Sequence, residues 1–327
     1  MTRRAFVLGL ALGSLAMSAA LAAPAHAAGI SVCTGSSTGN YTAAAKEIFS
    51  RVAGRVGEVR FVTNDDNGGS LDNLRKLSAG QCDFAFTQSD VFDTYRSDNP
   101  ATLNNLIVYR KVYTEFAHVL CSTGSGWGSL ADLETAKKKG QRVRMIVGPD
   151  GSGSAETWRT IRRANSAGLD GIERVADPVN IEAVSAIKDR KDTCMLWVSG
   201  LGSPNMELAN RRSVNTRDGK PAFRLITVND DKIYSLKDPN GEPIYTAETI
   251  ESKANGRHPG IYNNLLADNG WLSTDKSVKV PTVEALLVTR QDLKQQMPRA
   301  ISTSLDQAVE DASSTIWATM SPGAANK

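Results

Sequence analysis

The hydrophobic positions of this 327-residue chain form short apolar runs that alternate with amphipathic stretches. An apolar run over 30–33 leads into a turn of small polar residues and then into a helix that begins near Tyr41. The same order continues with a strand over 59–63, a helix over 70–78 capped by Ser70, and a strand over 83–87. This β-α-β-α-β order predicts a parallel sheet with right-handed crossovers.

The pattern then repeats in the middle of the chain. The further expected elements are extended runs at 106–109 and 115–121, helices at 129–138, 155–165, 180–189 and 298–317, and strands at 142–147, 172–176, 193–198 and 282–288. The stretch from 210 to 271 is polar and broken by Pro and Gly, so its pattern is only coarse. A second strand, small polar turn and helix over 142–165 therefore reproduces the opening order in a second unit.

The length of the chain favours two units over one. We predict an α/β protein of two lobes, each a mostly parallel sheet flanked by helices, with two crossing strands as the hinge. Lobe one is expected to hold 28–117 and 283–327, and lobe two to hold 118–282.

Small and polar residues follow the predicted strands. Ligands of open α/β sheets bind at the carboxyl ends of the strands, and a helix start rich in Gly, Ser and Thr offers N–H groups to an anion. We therefore expect hydrogen bonds from both lobes to hold a carboxylate between them. The candidate ligand-binding residues are Ser36, Ser37, Thr38, Gly39, Tyr41, Asn67, Ser70, Gln88, Ser89, Asp90, Ser152, Gly153, Ser154 and Trp197.

Several candidates also have a purely structural interpretation. Ser70, Ser89 and Asp90 are natural helix caps, and Trp197 suits a core position. The sequence singles out no arginine that must clamp a carboxylate, although three lie close to candidate loops. These are Arg110, Arg144 and Arg159.

The turn 35–39 also fits the Gly-x-Ser-x-Gly nucleophile elbow, with Ser37 as the nucleophile of an esterase. Such an enzyme needs a histidine base, and beyond the first 27 residues only His118 and His258 are present. The turn at 148–154 lacks the lysine of a P-loop, which disfavours nucleotide binding. We expect no catalytic residue, no metal site and no cofactor.

The first 27 residues have the form of an export signal. Arg3 and Arg4 precede an apolar stretch, and Ala25-His26-Ala27 is an A-x-A cleavage site. Twin-arginine export and a plain secretory signal both fit. We expect a cleaved signal peptide over 1–27 and a periplasmic protein.

Four cysteines are present, at 33, 82, 121 and 194. An even number in an oxidising compartment permits disulfides, and free buried cysteines are an equal alternative. Cys33 is expected near the end of one parallel strand and Cys82 near the start of another, which argues against that pair. No pair has the C-x-x-C spacing of a metal or redox site.

The formal net charge is +3, and no basic stripe is interleaved with aromatic residues. This composition disfavours a nucleic-acid partner. We expect a monomer.

Four segments, taken in order, resemble a known family. They are TGSSTGNY, GGSLDNLRKLSAGQCDFAFTQSD, HVLCSTGSG followed by SLADL, and VGPDGSGSA. They are similar to the TAXI solute-binding proteins, the extracytoplasmic receptors of one branch of TRAP transporters. The resemblance covers about 29–200 and the return strand at 282–290. Thr42 and Ala43 stand where the family usually has a second aromatic residue and a proline.

This resemblance implies the type II periplasmic binding fold. It also implies capture of a small organic anion, an amino acid such as glutamate or a dicarboxylate, for the membrane permease subunits of a sodium-driven TRAP transporter. A periplasmic ligand sensor of the same fold is the alternative, and a serine esterase is the third hypothesis.

Overall fold

The computed structural model of the protein describes residues 29–64, 68–100, 105–214, 221–251, 262–266 and 277–320. Within these ranges no helix combines the length and apolar character needed to cross a membrane. The predicted signal peptide, Asn67 and His258 lie outside the described residues.

The strands of the described residues form a single mixed sheet. They are β1 (Ile30–Gly35), β2 (Val59–Thr63), β3 (Phe84–Gln88), β4 (Leu106–Ser122), β5 (Arg144–Ile146), β6 (Glu173–Val175), β7 (Thr193–Ser199), β8 (Phe223–Leu225), β9 (Thr246–Glu251) and β10 (Ser277–Arg290). The strand order is β2-β1-β3-β10-β4-β7-β5-β6, with β8 on β4 and β9 on β10.

Helices cover both faces of this sheet. They are α1 (Asn40–Phe49), α2 (Ala53–Val56), α3 (Ser70–Ser78), α4 (Ser89–Asp98), α5 (Leu130–Lys138), α6 (Gly153–Ala164), α7 (Ser166–Leu169), α8 (Ile181–Ile187), α9 (Pro204–Arg212), α10 (Asp231–Tyr234), α11 (Gln291–Gln296) and α12 (Arg299–Met320). The final helix packs on α1 and β4, so the end of the chain completes the first lobe.

Each lobe has a parallel part. In the first, β1 pairs in parallel with β2 and β3, and in the second β5 pairs in parallel with β6 and β7. Separate clusters of buried side chains lie on the two sides, one around Phe49, Phe84 and Leu305 and another around Trp158 and Leu196. These two cores make the molecule two-lobed. The residue boundaries of the lobes given above stay a prediction.

Two long antiparallel strands connect the lobes. The prediction of two separate extended runs at 106–109 and 115–121 is wrong, because β4 is one strand of 17 residues. The return strand β10 has 14 residues and is longer than predicted. β4 stays continuous because its first part pairs with β10 and its last part pairs with β7. Glu115 lies opposite Val283 where the two strands cross between the lobes.

All four cysteines form disulfides. Cys33 is bonded to Cys82 and Cys121 to Cys194, with Cα atoms 6.0 Å and 4.2 Å apart. The argument against the first pair is wrong because it ignored the offset between the strands. β1 runs on to Gly35, so Cys33 lies in the middle of its strand, and Cys82 lies two residues before Phe84, which faces Val32.

Candidate functional site

A cavity of about 400 Å³ lies between the two lobes. The loops at the carboxyl ends of β1, β3, β5 and β7 line it, as do the first residues of several helices. The lining residues are Thr34, Gly35, Ser36, Thr38, Gly39, Asn40, Tyr41, Asn64, Gly68, Gly69, Ser70, Gln88, Glu115, Gly148, Pro149, Ser152, Gly153, Ser154, Pro178, Val179, Asn180, Trp197, Val198, Ser199, Ser203 and Asn205.

The first wall of the cavity is the turn between β1 and α1. Gly35 has a φ of 82°, a conformation that side-chain-bearing residues rarely adopt, and it lets the chain leave the strand sharply. The hydroxyl of Thr42 donates to the carbonyl oxygen of Ser36 over 2.7 Å and holds the turn against the helix. Gly39 occupies the N-cap position and makes no side-chain cap, so the first N–H groups of α1 stay available to a ligand.

Three further helices begin at the cavity. The N-cap positions of α3 and α9 are Gly69 and Ser203, and neither makes a side-chain cap hydrogen bond. The hydroxyl of Ser152 caps α6 by accepting from the N–H of Ala155, while Gly153 and Ser154 remain in the lining. The N-termini of four helices, α1, α3, α6 and α9, therefore place their partial positive charges around the same cavity.

Among the residues that the structure describes, the lining includes no lysine, arginine or histidine. The three arginines near the candidate loops form ion pairs elsewhere: Arg110 with Asp306, Arg144 with Asp192, and Arg159 with Glu156. An anionic ligand of this cavity would thus be held by backbone N–H groups and neutral side chains.

Glu115 is the one carboxyl group among the lining residues that the structure describes. Its Oε2 accepts a hydrogen bond of 2.7 Å from the hydroxyl of Tyr41, and Ser70 lies 3.3 Å from the same hydroxyl. Burial, with a smaller contribution from the negative charges of Asp90 and Glu284, raises the pKa of Glu115 to about 8. Glu115 is therefore mainly protonated at neutral pH in this environment.

Tyr41 connects this carboxyl group to the first lobe. Its ring stacks on Phe86 with centroids 5.5 Å apart, and burial followed by the charge of Glu115 raises the pKa of its hydroxyl. Ser70 is not the N-cap of α3 as predicted, because it is the first helical residue and Gly69 takes the N-cap position. The buried side chain of Ser70 instead reaches Tyr41.

Gln88 and Gly153 bring the two lobes into contact across the cavity. A Cβ atom on Gly153 would lie 2.3 Å from Oε1 of Gln88, so only glycine fits here without moving the amide. Gln88 is 2% exposed, and its Oε1 has no hydrogen-bond partner among the described residues. This acceptor is therefore available to a donor on a ligand.

Three predicted residues lie outside the cavity lining: Ser37, Ser89 and Asp90. Helix α4 begins at Ser89, which turns the chain away from the line of β3. The hydroxyl of Ser89 accepts from the N–H of Glu284 over 3.0 Å, and Asp90 accepts from Thr157 and Tyr245 of the second lobe. Both side chains therefore join parts of the protein to one another.

The second-lobe candidates line the cavity, yet their hydroxyl groups already have partners. Ser152 is the cap of α6 and donates to the carbonyl oxygen of Val147 over 3.3 Å. Ser154 accepts from the N–H of Val198 over 3.1 Å. Trp197 is 8% exposed and forms part of the wall.

His118, one of the two candidate bases for Ser37, is buried behind Trp197. Its Nδ1 lies 3.1 Å from the carbonyl oxygen of Trp197, and its ring packs edge-on against Tyr262. Burial lowers its pKa to about 4, so it is neutral. Among the described residues, no cluster of three or more His, Cys, Asp and Glu side chains is placed to hold a metal ion.

The sequence reasoning missed Glu115 and the residues around α8 and α9. Ser203 before Pro204 is a recognisable helix start, but no helix was predicted there. Glu115 is a charged residue inside a long apolar run, and its position next to the cleft depends on the crossing of β4 with β10.

A model of the NMT1-like family matches residues 32–305. No curated protein sequence matches the chain.

Solved structures share the fold at low sequence identity. A lactococcal OpuAC protein in complex with glycine betaine is 12% identical, with a TM-score of 0.47 and coverage of 88% of this chain and 94% of that one. PhnD1 from Prochlorococcus marinus in complex with methylphosphonate is 9% identical, with a TM-score of 0.48 and coverage of 89% and 90%. The regulatory domain of MetR, a LysR family regulator from N. meningitidis, is 7% identical, with a TM-score of 0.46 and coverage of 89% and 94%.

The prediction of fold class is confirmed. The protein has an α/β fold of two lobes, with a mixed sheet flanked by helices.

Proposed function

The chain belongs to the NMT1-like family, and on that premise we propose that it is an extracytoplasmic solute-binding protein for a small organic anion. One observation carries the proposal: four helix N-termini, those of α1, α3, α6 and α9, line a single cavity between the lobes. Backbone N–H groups at helix starts bind carboxylates well. Each hydrogen bond to a charged group contributes about 1.5–3 kcal/mol, so a few of them in a closed cleft support micromolar binding.

Glu115 favours an amino acid over a dicarboxylate as the ligand. A second carboxylate next to Glu115 would either meet a like charge or depend on keeping Glu115 protonated, and the described lining residues include no cationic side chain to compensate. An amino acid instead directs its carboxylate to the helix starts and its ammonium group to Glu115. Oε1 of Gln88, buried and without a partner among the described residues, offers a second acceptor to the same ammonium group.

If the ligand is an amino acid, its affinity should depend on pH. An ammonium group next to Glu115 favours its ionised form, so binding releases a proton and tightens as the pH rises towards about 8. A carboxylate that accepts a hydrogen bond from protonated Glu115 would bind more weakly over the same interval.

The resemblance to TAXI proteins supports TRAP permease subunits as the membrane partner and the periplasm as the location. The lobes, at 28–117 with 283–327 and at 118–282, would then move as two bodies and present a closed surface to the permease. The N–H of Leu71 donates to the carbonyl oxygen of Gly151 over 3.2 Å, which joins the starts of α3 and α6 across the cleft. The structure therefore has the contacts expected of a closed form.

A ligand screen tests the proposal. Protein unfolded, stripped of carried-over ligand and refolded is titrated by calorimetry with amino acids, dicarboxylates and 2-keto acids between pH 6 and pH 8. We expect an amino acid to bind and to release a proton. Tyr41→Phe should weaken that binding about tenfold, whereas Tyr95→Phe on the outer helix α4 should leave it unchanged.

The possible outcomes test the choice of ligand and the solute-binding function separately. Binding of a dicarboxylate alone would overturn the choice of amino acid and leave the solute-binding function standing. A flat response from all three classes would overturn the function itself.

A further inference from the structure

A second cavity, of about 340 Å³, lies on lobe two and shares no lining residue with the cleft. One face of α6, the region of α7 and the edge strand β6 form its walls. Four of its lining residues are arginines: Arg159, Arg162, Arg163 and Arg174. This concentration of positive charge on one cavity is a feature that solute binding in the cleft does not use.

Buried donors of the lining residues lack partners. The Nε atoms of Arg162 and Arg174 and the indole Nε1 of Trp158 are buried without a hydrogen-bond partner among the described residues. Trp158 is only 1% exposed. A buried donor left unsatisfied is costly, and such atoms are rare in native proteins. Guanidinium and indole groups only donate, so the complementary ligand must offer acceptor oxygens.

Arg159 is paired with Glu156, whose side chain is 5% exposed, but the carboxylates near Arg162 and Arg174 are poorly placed to serve as permanent partners. Asp170 lies 3.2 Å from Arg162, and Asp150 lies 2.6 Å from Arg174, yet their side chains are 63% and 76% exposed. Ion pairs exposed to this degree contribute little and exchange readily. A ligand can therefore displace them at small cost.

The helix dipole explains the presence of only two of the four arginines. Arg162 and Arg163 lie in the last turn of α6, where positive charge stabilises a helix. Arg159 lies earlier in the helix, and Arg174 lies on β6. The dipole therefore does not explain why all four line one cavity.

We propose that this cavity binds a phosphate group. Guanidinium groups bind phosphate in bidentate geometry, and the oxygens of the ligand would satisfy the indole N–H of Trp158. The volume exceeds that of inorganic phosphate and leaves room for an attached organic group. The inference is independent of the function proposed for the cleft.

Calorimetry on the full chain with sodium phosphate as the probe, against sodium chloride at equal ionic strength, tests the site. The parent should bind phosphate, and Arg162→Gln combined with Arg163→Gln should weaken binding at least tenfold. Arg211→Gln on α9, an exposed arginine that pairs with Glu207, is the matched control and should bind as the parent does. Trp158→Phe keeps an aromatic ring in the core, removes the N–H and should weaken binding several-fold.

A second set of measurements identifies the source of the phosphate. Co-sedimentation with phosphatidylglycerol vesicles, compared with phosphatidylcholine vesicles, reports a lipid headgroup, and binding to free phosphate reports a soluble ligand. Either result supports the site when the double variant loses it. If the double variant is unfolded by circular dichroism, Trp158→Phe decides the same question. Phosphate binding that is unchanged in the folded variants, or absent from the parent in both arms, overturns the proposal.

Discussion

The hydroxyl of Tyr245 donates a hydrogen bond of 2.8 Å to Oδ2 of Asp90, which lies 155 positions earlier in the chain and in the other lobe. Thr157 donates to the same oxygen over 2.7 Å, and the N–H of Val91 donates to Oδ1 over 2.9 Å. Burial raises the pKa of Asp90, and these three donors oppose that effect. Asp90 was predicted as a ligand residue, and the structure places it in a contact that holds the lobes together.

Tyr245→Phe should destabilise the protein and loosen the closed form. The change removes one donor from a buried carboxyl group, which costs about 1.5–3 kcal/mol. Denaturant unfolding measures the loss, and small-angle X-ray scattering should show a larger radius of gyration. Tyr95→Phe, on the same helix as Asp90, is the control. Unchanged stability and unchanged dimensions in Tyr245→Phe would contradict this role.

Glu115→Gln should make stability less dependent on pH. The pKa of Glu115 is about 8 in the folded protein against 4.5 for an exposed glutamate, so the folded state binds more protons between these values. The free energy of unfolding of the parent should therefore fall as the pH rises from about 4.5 to 8, by up to about 1.4 kcal/mol per pH unit. The variant should lack this contribution and be more stable than the parent near pH 8.

Urea unfolding at several pH values checks the slope. Glu310→Gln, at an exposed position of α12, should keep the slope of the parent. Parallel curves for the parent and Glu115→Gln would show that Glu115 titrates normally.

Gly153→Ala should weaken ligand binding far more than it weakens folding. The added Cβ would lie 2.3 Å from Oε1 and 2.9 Å from Nε2 of Gln88, so the amide must move within the cleft. Because a flexible side chain can relieve the contact, we expect less than about 1.5 kcal/mol of destabilisation. Ligand titration and thermal unfolding, with Gly54→Ala as a control at a position with open space, separate the effects. Parent-like affinity would show that Gln88 does not position the ligand.

Loss of the Cys33–Cys82 disulfide should destabilise the protein strongly. The bond closes a sequence separation of 49 residues, which corresponds to about 4 kcal/mol in the chain-entropy model. We expect the double replacement by serine to lower the midpoint of urea unfolding. A thiol assay on the unreduced, denatured parent should find no free thiol. Four reactive thiols in that assay would contradict both disulfides.

Local pattern was enough to predict most of the fold. The strand at 59–63 and the helix at 70–78 have the predicted bounds, because periodicity and turn residues agree there. The two strand-to-helix turns on opposite sides of the cavity were also predicted. Ser36 and Gly39 lie in the first turn, and Gly153 lies at the end of the second.

Long-range register set the limits of the sequence analysis. The position of Cys82 beside Cys33 depends on how far β3 is shifted along β1, and no local signal encodes that shift. Glu115 enters the cleft only because two strands far apart in the chain cross at its position. For Ser89 and Asp90 the sequence left a ligand role and a cap role open, and it did not indicate their contacts with Glu284, Thr157 and Tyr245 far along the chain.

The two crossing strands also determine how the lobes can move. β4 and β10 are hydrogen-bonded to each other over 106–116 and 282–290, and each runs on into the pairings of the second lobe. When one lobe twists against the other, the change in backbone conformation is therefore distributed along the paired ribbon of β4 and β10. It is not confined to one flexible peptide. We expect this paired ribbon to resist twisting when the cleft opens and to favour the return of the lobes to one another.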